Sequence, residues 1–338
     1  MKMKRTISKK VIYVIAAVLL INNAISAQDK PKDEFKPSGK PFAKVFSNFH
    51  TGLTHNNVNS AFEITRAYLG YKYKMSENWS ANLTLDVGNP KNGSALEQTA
   101  YIKVGALTYK KENLTFNFGL IGLKQFKVQE KFWARRFLYK SFQDQHKFNA
   151  SADLGANIDY KIHKKISIDA TIQNGEGYKK LQSDDTYRGG LGLTINPFEA
   201  LTLRAYYDMM QKTETQSSLA TFIGYNHKDK IFLGVEYNMQ NNTSCVKDLN
   251  RNGISVYTAY AINKKFELFA RYDQLASNTL AGATNAWNVG KDGEAVIGGL
   301  QYNAVKGVKI ALNYQSWFPE ASGAKDAPNL YLNFEYAF

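Results

Sequence analysis

Apolar and polar residues alternate one by one over most of the chain. In NWSANLTLDVG, Trp79, Ala81, Leu83, Leu85 and Val87 fall on one parity and Ser80, Asn82, Thr84 and Asp86 on the other. In NLTFNFGLIG, Leu114, Phe116, Phe118 and Leu120 alternate with Thr115, Asn117 and Gly119. A period of two places such sets on opposite faces of a β-strand. The same pattern recurs in SADLGANIDYKI, KISIDATIQ, ALTLRAYYDMM, KIFLGVEYNMQ, KFELFARYDQ and GVKIALNYQ. It predicts sixteen strands, near residues 42–53, 61–74, 78–88, 98–109, 113–122, 150–162, 165–174, 186–196, 200–211, 217–227, 230–241, 253–262, 265–274, 294–304, 307–316 and 328–338. Most are about ten residues long, the length at which a tilted strand crosses a bilayer.

The connections alternate as well. MSEN, KKEN, HKK, NPFE, HKD, NKK and AVKG are tight, whereas NPKNGSALEQ, GEGYKKLQSDDT, ASNTLAGATNAWNVGKDG and WFPEASGAKDAP are long. A soluble sandwich has no reason to segregate loop length by end, but a membrane barrel with short periplasmic turns and long extracellular loops does. The last segment, NLYLNFEYAF, would leave a greasy face and an open edge in water. In a barrel, lipid takes the face and the first strand takes the edge. Aromatics near strand ends (Trp79, Tyr160, Tyr207, Tyr237, Tyr272, Tyr314, Phe338) suit the two interface girdles. The predicted fold class is therefore all-β, a transmembrane antiparallel β-barrel of about 16 strands.

The first residues change the compartment. Lys2, Lys4, Arg5, Lys9 and Lys10 precede a short apolar run, Val11 to Ile21, and small residues around Ala24 to Ala27. These are the marks of a cleaved signal peptide spanning 1–27, with cleavage after Ala27 and Ser26 as the rival site. Residues 28–41, QDKPKDEFKPSGKP, read as a flexible periplasmic tail, and 42–338 as the barrel. The whole-chain charge of +14 drops to about +9 once the five leader cations leave. No later run of about 20 apolar residues predicts a membrane helix. Cys245, the single cysteine, excludes an internal disulfide and reads as an exposed thiol in a turn.

The chain resembles a known group of proteins. AFEITRAYLGYKYKMSENWSANLTLDVG, LIGLKQFKVQEKFWARRFLYKSFQDQHKFNASADLGANIDYKI and the C-terminal strand are similar to outer-membrane porins of the phosphate-selective O and P type, in the form found in Bacteroidetes-type bacteria. Phe338 looks like the terminal signal read by the barrel assembly machinery. The resemblance implies a trimeric, 16-stranded channel in a Gram-negative outer membrane, without enzymatic activity or cofactor. Its third extracellular loop would fold into the lumen, and the matching loop here is 123–149. The lumenal arginine and lysine ladders of anion-selective members are not carried over to individual positions.

That loop is also the chain's most charge-biased stretch. Lys124, Lys127, Lys131, Arg135, Arg136, Lys140 and Lys147 stand against only Glu130 and Asp144. Lys127, Lys131 and Arg135 are spaced i, i+4, i+8 and would stack on one side of a helix. Val128, Phe132 and Trp133 would pack its other side on the wall. The sharp reading is a pore constriction at Lys124, Lys127, Lys131, Arg135, Arg136 and Lys140 that concentrates small anionic solutes. The plain reading is a surface loop touching lipid phosphates or a neighbouring subunit. Strand parity turns Arg66, Lys72, Lys103, Arg188, Arg204, Arg271 and Lys309 inward with Asp86, Asp153, Asp159, Asp169, Asp208, Glu236 and Asp273. Such a balance predicts wall-to-wall salt bridges.

Other chemistry recedes. DLNRNG (248–253) opens like a calcium loop, but Ala259 stands where the closing glutamate belongs, so it reads as a turn. His50, His55, His146, His163 and His227 have no metal spacing. GGLGL (189–193) sits inside a strand pattern and is no phosphate loop. The expected function is a porin passing small hydrophilic solutes with an anion preference, in contact with outer-membrane lipid, a homotrimer by resemblance, with no nucleic-acid partner. The rivals are a structural or adhesive barrel with a closed lumen and a barrel lipid hydrolase.

Overall fold

Sixteen antiparallel strands close on themselves in simple up-and-down order. The computed structural model describes residues 35–54, 59–90 and 96–338; the leader, most of the tail and His55 lie outside them. The strands are β1 (Ser38–Gly52), β2 (Ser60–Lys74), β3 (Trp79–Gly88), β4 (Thr99–Lys111), β5 (Leu114–Gly122), β6 (Ala152–His163), β7 (Ile166–Gln173) and β8 (Arg188–Ile195). They continue with β9 (Leu201–Gln211), β10 (Thr215–His227), β11 (Ile231–Asn241), β12 (Arg251–Ala261), β13 (Phe266–Ser277), β14 (Gly293–Val305), β15 (Val308–Pro319) and β16 (Asn329–Ala337). The last four residues of the expected tail therefore lie in β1.

Closure uses the edge that the final strand would otherwise expose. β16 pairs with β1 from Lys44 opposite Ala337 to Gly52 opposite Asn329. Ala43 and Phe338 then exchange both backbone hydrogen bonds, at 2.8 and 3.0 Å. With no edge left, backbone N–H and C=O groups along the spans are paired within the sheet, which is what a span through hydrocarbon requires.

Parity sorts the side chains as the sequence pattern predicts. Leu83, Ile168, Ile223, Leu268 and Leu312 point outward and are 42–55% exposed. Their neighbours Asp169, Phe222 and Asn313 point inward and are buried. The apolar side of a sheet normally faces the core, so an apolar outer wall around a polar inner one is the inversion that lipid imposes. One end carries the short turns and the other the long connections, except that the β9–β10 connection at the long end is only 212–214.

Two local expectations are corrected. Cys245 is buried, not exposed: Asn242 and Ser244 take left-handed backbone angles, and the short 3₁₀ turn Thr243–Cys245 folds the thiol against the carbonyl of Met210 at 3.7 Å. DLNRNG is a turn only in its first half, because β12 already begins at Arg251.

Candidate functional site

Residues 123–151, between β5 and β6, run inside the barrel. Helix α1 (Lys127–Trp133) and the single turn α2 (Phe142–Gln145) form its two ordered pieces. The anchor is aromatic. Trp133 lies edge-on to Tyr257 and Phe269 of the wall, at 5.5 and 6.3 Å between ring centres, and Phe132 meets Phe222 at 5.0 Å. Phe137 packs toward Phe46 on β1, and Phe142 and Phe148 toward Leu275 on β13. Burying side chains of this size contributes roughly 1.5–3 kcal/mol each. Two wall glycines make room: a Cβ on Gly224 would lie 2.6 Å from the Phe132 ring, and one on Gly253 would run into Phe142.

Hydrogen bonds fix the loop backbone at spaced points. Arg204 donates to the carbonyl of Lys124 at 3.0 Å, Arg271 to Lys140 at 2.8 Å, and Arg188 to Phe148 at 3.2 Å. Arg251 donates to His146 and Lys147 at 2.9 and 2.8 Å. Tyr257 donates to the carbonyl of Gln129 at 3.0 Å. The wall salt bridges predicted from parity are present: Arg66–Asp86 at 2.7 Å, Arg188–Asp208 at 2.5 Å, Arg204–Asp169 at 2.7 Å and Arg271–Asp273 at 2.6 Å. Three of these arginines thus bind a wall carboxylate and the loop backbone together. Charge-assisted bonds of this kind are the strong ones, and Arg geometry suits the double task.

The expected stack of Lys127, Lys131 and Arg135 does not form. The helix stops at Trp133, and Ala134 turns the chain in the left-handed region at φ 55°. Arg135 is carried to the wall, where it is buried and pairs with Glu267 at 2.5 Å. Lys127 pairs with Glu130 at 2.8 Å and is largely exposed, and Lys131 is exposed. Lys124 is held by Asp159 at 2.6 Å. Arg136 lies between Asp144 at 2.8 Å and Glu130 at 3.6 Å.

The structure gathers only part of the expected loop set, together with cations of the wall. Arg136 and Lys140 of the loop face Arg66 of β2 across a void of about 280 Å³, whose one carboxylate among the described residues is Glu63. Lys103 of β4 stands behind Tyr68, donating to its hydroxyl at 3.2 Å, and lies 4.0 Å from Asp86. Burial holds the Lys140 ammonium below the usual lysine range; Asp144 opposes that shift, and Arg136, Arg66 and Lys103 add to it. A second void, of about 500 Å³, adjoins the first through Tyr139, Gln145, Gln315 and Tyr331. Lys147, Arg251 and Lys291 line it, and among the described residues no carboxylate does.

Parity reasoning missed Arg251, Glu267 and Glu335. Arg251 shares its parity with Gly253, Ser255, Tyr257 and Ala259, all buried, so the signal was present once the strand was extended. Glu267 holds Arg135, and Glu335 binds Lys309 at 3.3 Å and Lys44 at 3.6 Å. Among the described residues, no cluster of three or more His, Cys, Asp or Glu side chains has the geometry to hold a metal.

The fold has known counterparts. The OmpF porin of Salmonella typhi, solved with daunomycin, superposes with a TM-score of 0.68 at 12% identity, over 89% of this chain and 97% of that one. The outer-membrane channel DcaP of Acinetobacter baumannii gives 0.64 at 12%, over 91% and 99%. The anion-selective porin of Comamonas acidovorans gives 0.65 at 10%, over 90% and 100%. No family model and no curated protein matches the sequence. The chain is thus a closed 16-strand antiparallel barrel of the outer-membrane porin fold.

Proposed function

We propose that this protein is an outer-membrane porin of a Gram-negative cell, passing small hydrophilic solutes by diffusion and preferring anions. It follows a cleaved signal and closes through Phe338. The observation that carries the preference is the charge left over beside the voids. Lys140, Lys147, Arg251 and Lys291 line them, and among the described residues none of the four makes an ion pair. The wall arginines Arg188, Arg204 and Arg271, by contrast, are matched one to one by aspartates. Unmatched charge in a narrow, low-dielectric passage attracts counter-ions more than the same charge on an open surface, which salt screens within about 8–10 Å. Lys131 adds positive charge from the exposed side of α1, where Lys127 is paired with Glu130, and phosphate is among the anions that fit. The similarity to the Comamonas porin is in keeping with this reading, as is the homotrimer implied by the resemblance to phosphate-selective porins.

The test is reversal potential in a KCl gradient across planar bilayers. The wild-type channel should be anion-selective. Replacing Lys140, Lys147 and Lys291 together with Gln should move the potential toward cations by more than replacing Lys127 and Lys131. A cation-selective wild type refutes the sign. A folded barrel that gives no conductance steps favours the closed structural barrel.

A further inference from the structure

Rings and cations alternate in an unbroken row along one side of the lumen. Near the long-loop end, the Lys179 ammonium lies 4.3 Å from the ring centre of Tyr101 and 5.7 Å from that of Tyr178. Lys103 lies 5.6 Å from Tyr178 and 4.8 Å from Tyr68. Arg136 then lies 6.0 Å from Tyr68. Tyr101 is two residues into β4, Tyr178 and Lys179 belong to the β7–β8 connection, and Arg136 lines the smaller void, so the row descends from the loop end to the narrow passage.

Its construction is specific. The Tyr178 hydroxyl donates to Asp86, which also receives Arg66 at 2.7 Å, so one buried carboxylate orients the central ring. Asp86 is balanced by Arg66 and Lys103, leaving Lys179 in positive excess at the entrance. Each ring is therefore next to a cation, and each cation except Arg136, at the inner end, lies between two rings.

A bare inorganic anion would use only half of this row. An anion with a flat ring can lay the ring against a tyrosine and its acid group against the next cation, then repeat the contact one step further in. Aromatic faces and cations each attract such a solute weakly. A series of weak sites lets a solute enter and still leave, which conduction requires. We infer that the row Tyr101–Lys179–Tyr178–Lys103–Tyr68–Arg136 is a conduction track for organic anions that carry a flat ring. This rests on the proposed anion-preferring pore and names the solute class that pore favours.

The experiment compares phenyl phosphate with methyl phosphate as blockers of KCl current through the reconstituted full-length barrel. The two share the acid group and differ in the ring. Phenyl phosphate should block with about tenfold higher apparent affinity, the scale of one or two added ring contacts. Tyr101→Leu, and separately Lys179→Gln at an exposed loop position, should each reduce that ratio. Benzyl alcohol, a ring without the acid, should block far less than phenyl phosphate. Equal affinities for the two phosphates in an anion-selective channel overturn the track and leave the porin reading standing. So does a ratio that both variants leave unchanged, or block by benzyl alcohol as strong as by phenyl phosphate. A channel selective for cations removes the porin reading's anion preference, and the track falls with it.

Discussion

The guanidinium of Arg271 holds the backbone carbonyl of Lys140 at 2.8 Å while its other nitrogens hold Asp273 at 2.8 and 2.6 Å. One side chain thereby ties a wall charge pair to the loop that narrows the lumen. Arg188 and Arg204 repeat the arrangement at Phe148 and Lys124. The loop is therefore fastened near both ends and in the middle.

Arg271→Met should separate the two tasks. It strands Asp273, whose side chain is fully buried, and breaking one partner of a buried pair costs roughly 3–5 kcal/mol. Denaturant titration of vesicle-folded protein reads that loss. The double change Arg271→Met/Asp273→Leu should recover most of the stability but not the tether, so its channels should stay noisier than wild type. Quiet channels in the double variant would show that Arg271 does not hold the loop.

The register makes a second test. Leu83 is 47% exposed on the outer wall, and Asn82 beside it faces the lumen. Arginine on the lipid side near mid-membrane costs about 2–4 kcal/mol. Leu83→Arg should fold into vesicles poorly and Asn82→Arg nearly normally. Equal folding would mean that no bilayer surrounds the wall, and the opposite order that the two faces are exchanged, since a shift by one residue exchanges every side chain.

The barrel was legible in the sequence because each strand residue must face either lipid or lumen, and a period of two runs through the spans, interrupted by single-residue register shifts at Thr65, Lys103, Ile162 and Ala304. The wall pairs Arg204–Asp169 and Arg188–Asp208 followed from the same parity, as partners on neighbouring or next-neighbouring strands. The arrangement of the loop charges was not legible. Arg135 meets Glu267 across more than a hundred residues of chain, and nothing local in KFWARRF marks the left-handed turn at Ala134 that sends it there. Reading the loop as one helix placed Lys127, Lys131 and Arg135 together. The fold instead brings Arg136 and Lys140 to Arg66, a meeting set by where the aromatic anchors Trp133 and Phe137 land.

Sidedness is open to chemical labelling. The long connections are expected outside the cell and the tight turns in the periplasm. Ala283→Cys, in the exposed β13–β14 connection, should react with an impermeant maleimide on intact cells, and Lys264→Cys, in the β12–β13 turn, should not. The native thiol of Cys245 is buried and should stay silent in both. The opposite labelling pattern would invert the barrel in the membrane.

His146 provides a test of pH dependence. Its ring packs against Phe142 at 4.5 Å and Trp317 at 5.6 Å, and its Nε2 is buried without a hydrogen-bond partner. Burial pushes its pKa down to about 4; Asp273 opposes this, and Arg271 and Arg251 reinforce it. In the unfolded chain the group titrates near about 6.5. The unfolded state therefore binds the proton first as pH falls. The stability that neutral His146 provides is complete above about 6.5 and is lost progressively down to about 4. Wild-type protein should lose more denaturant resistance between pH 7 and pH 4 than His146→Gln, which keeps the backbone carbonyls that Arg251 grips. Since His146 lines the larger void but stays uncharged from pH 8 to pH 5, it should add no pH dependence of its own to the anion preference over that range. A reversal potential that titrates near pH 6.5 in wild type and not in His146→Gln would mean that the ring is solvated and charges within the pore.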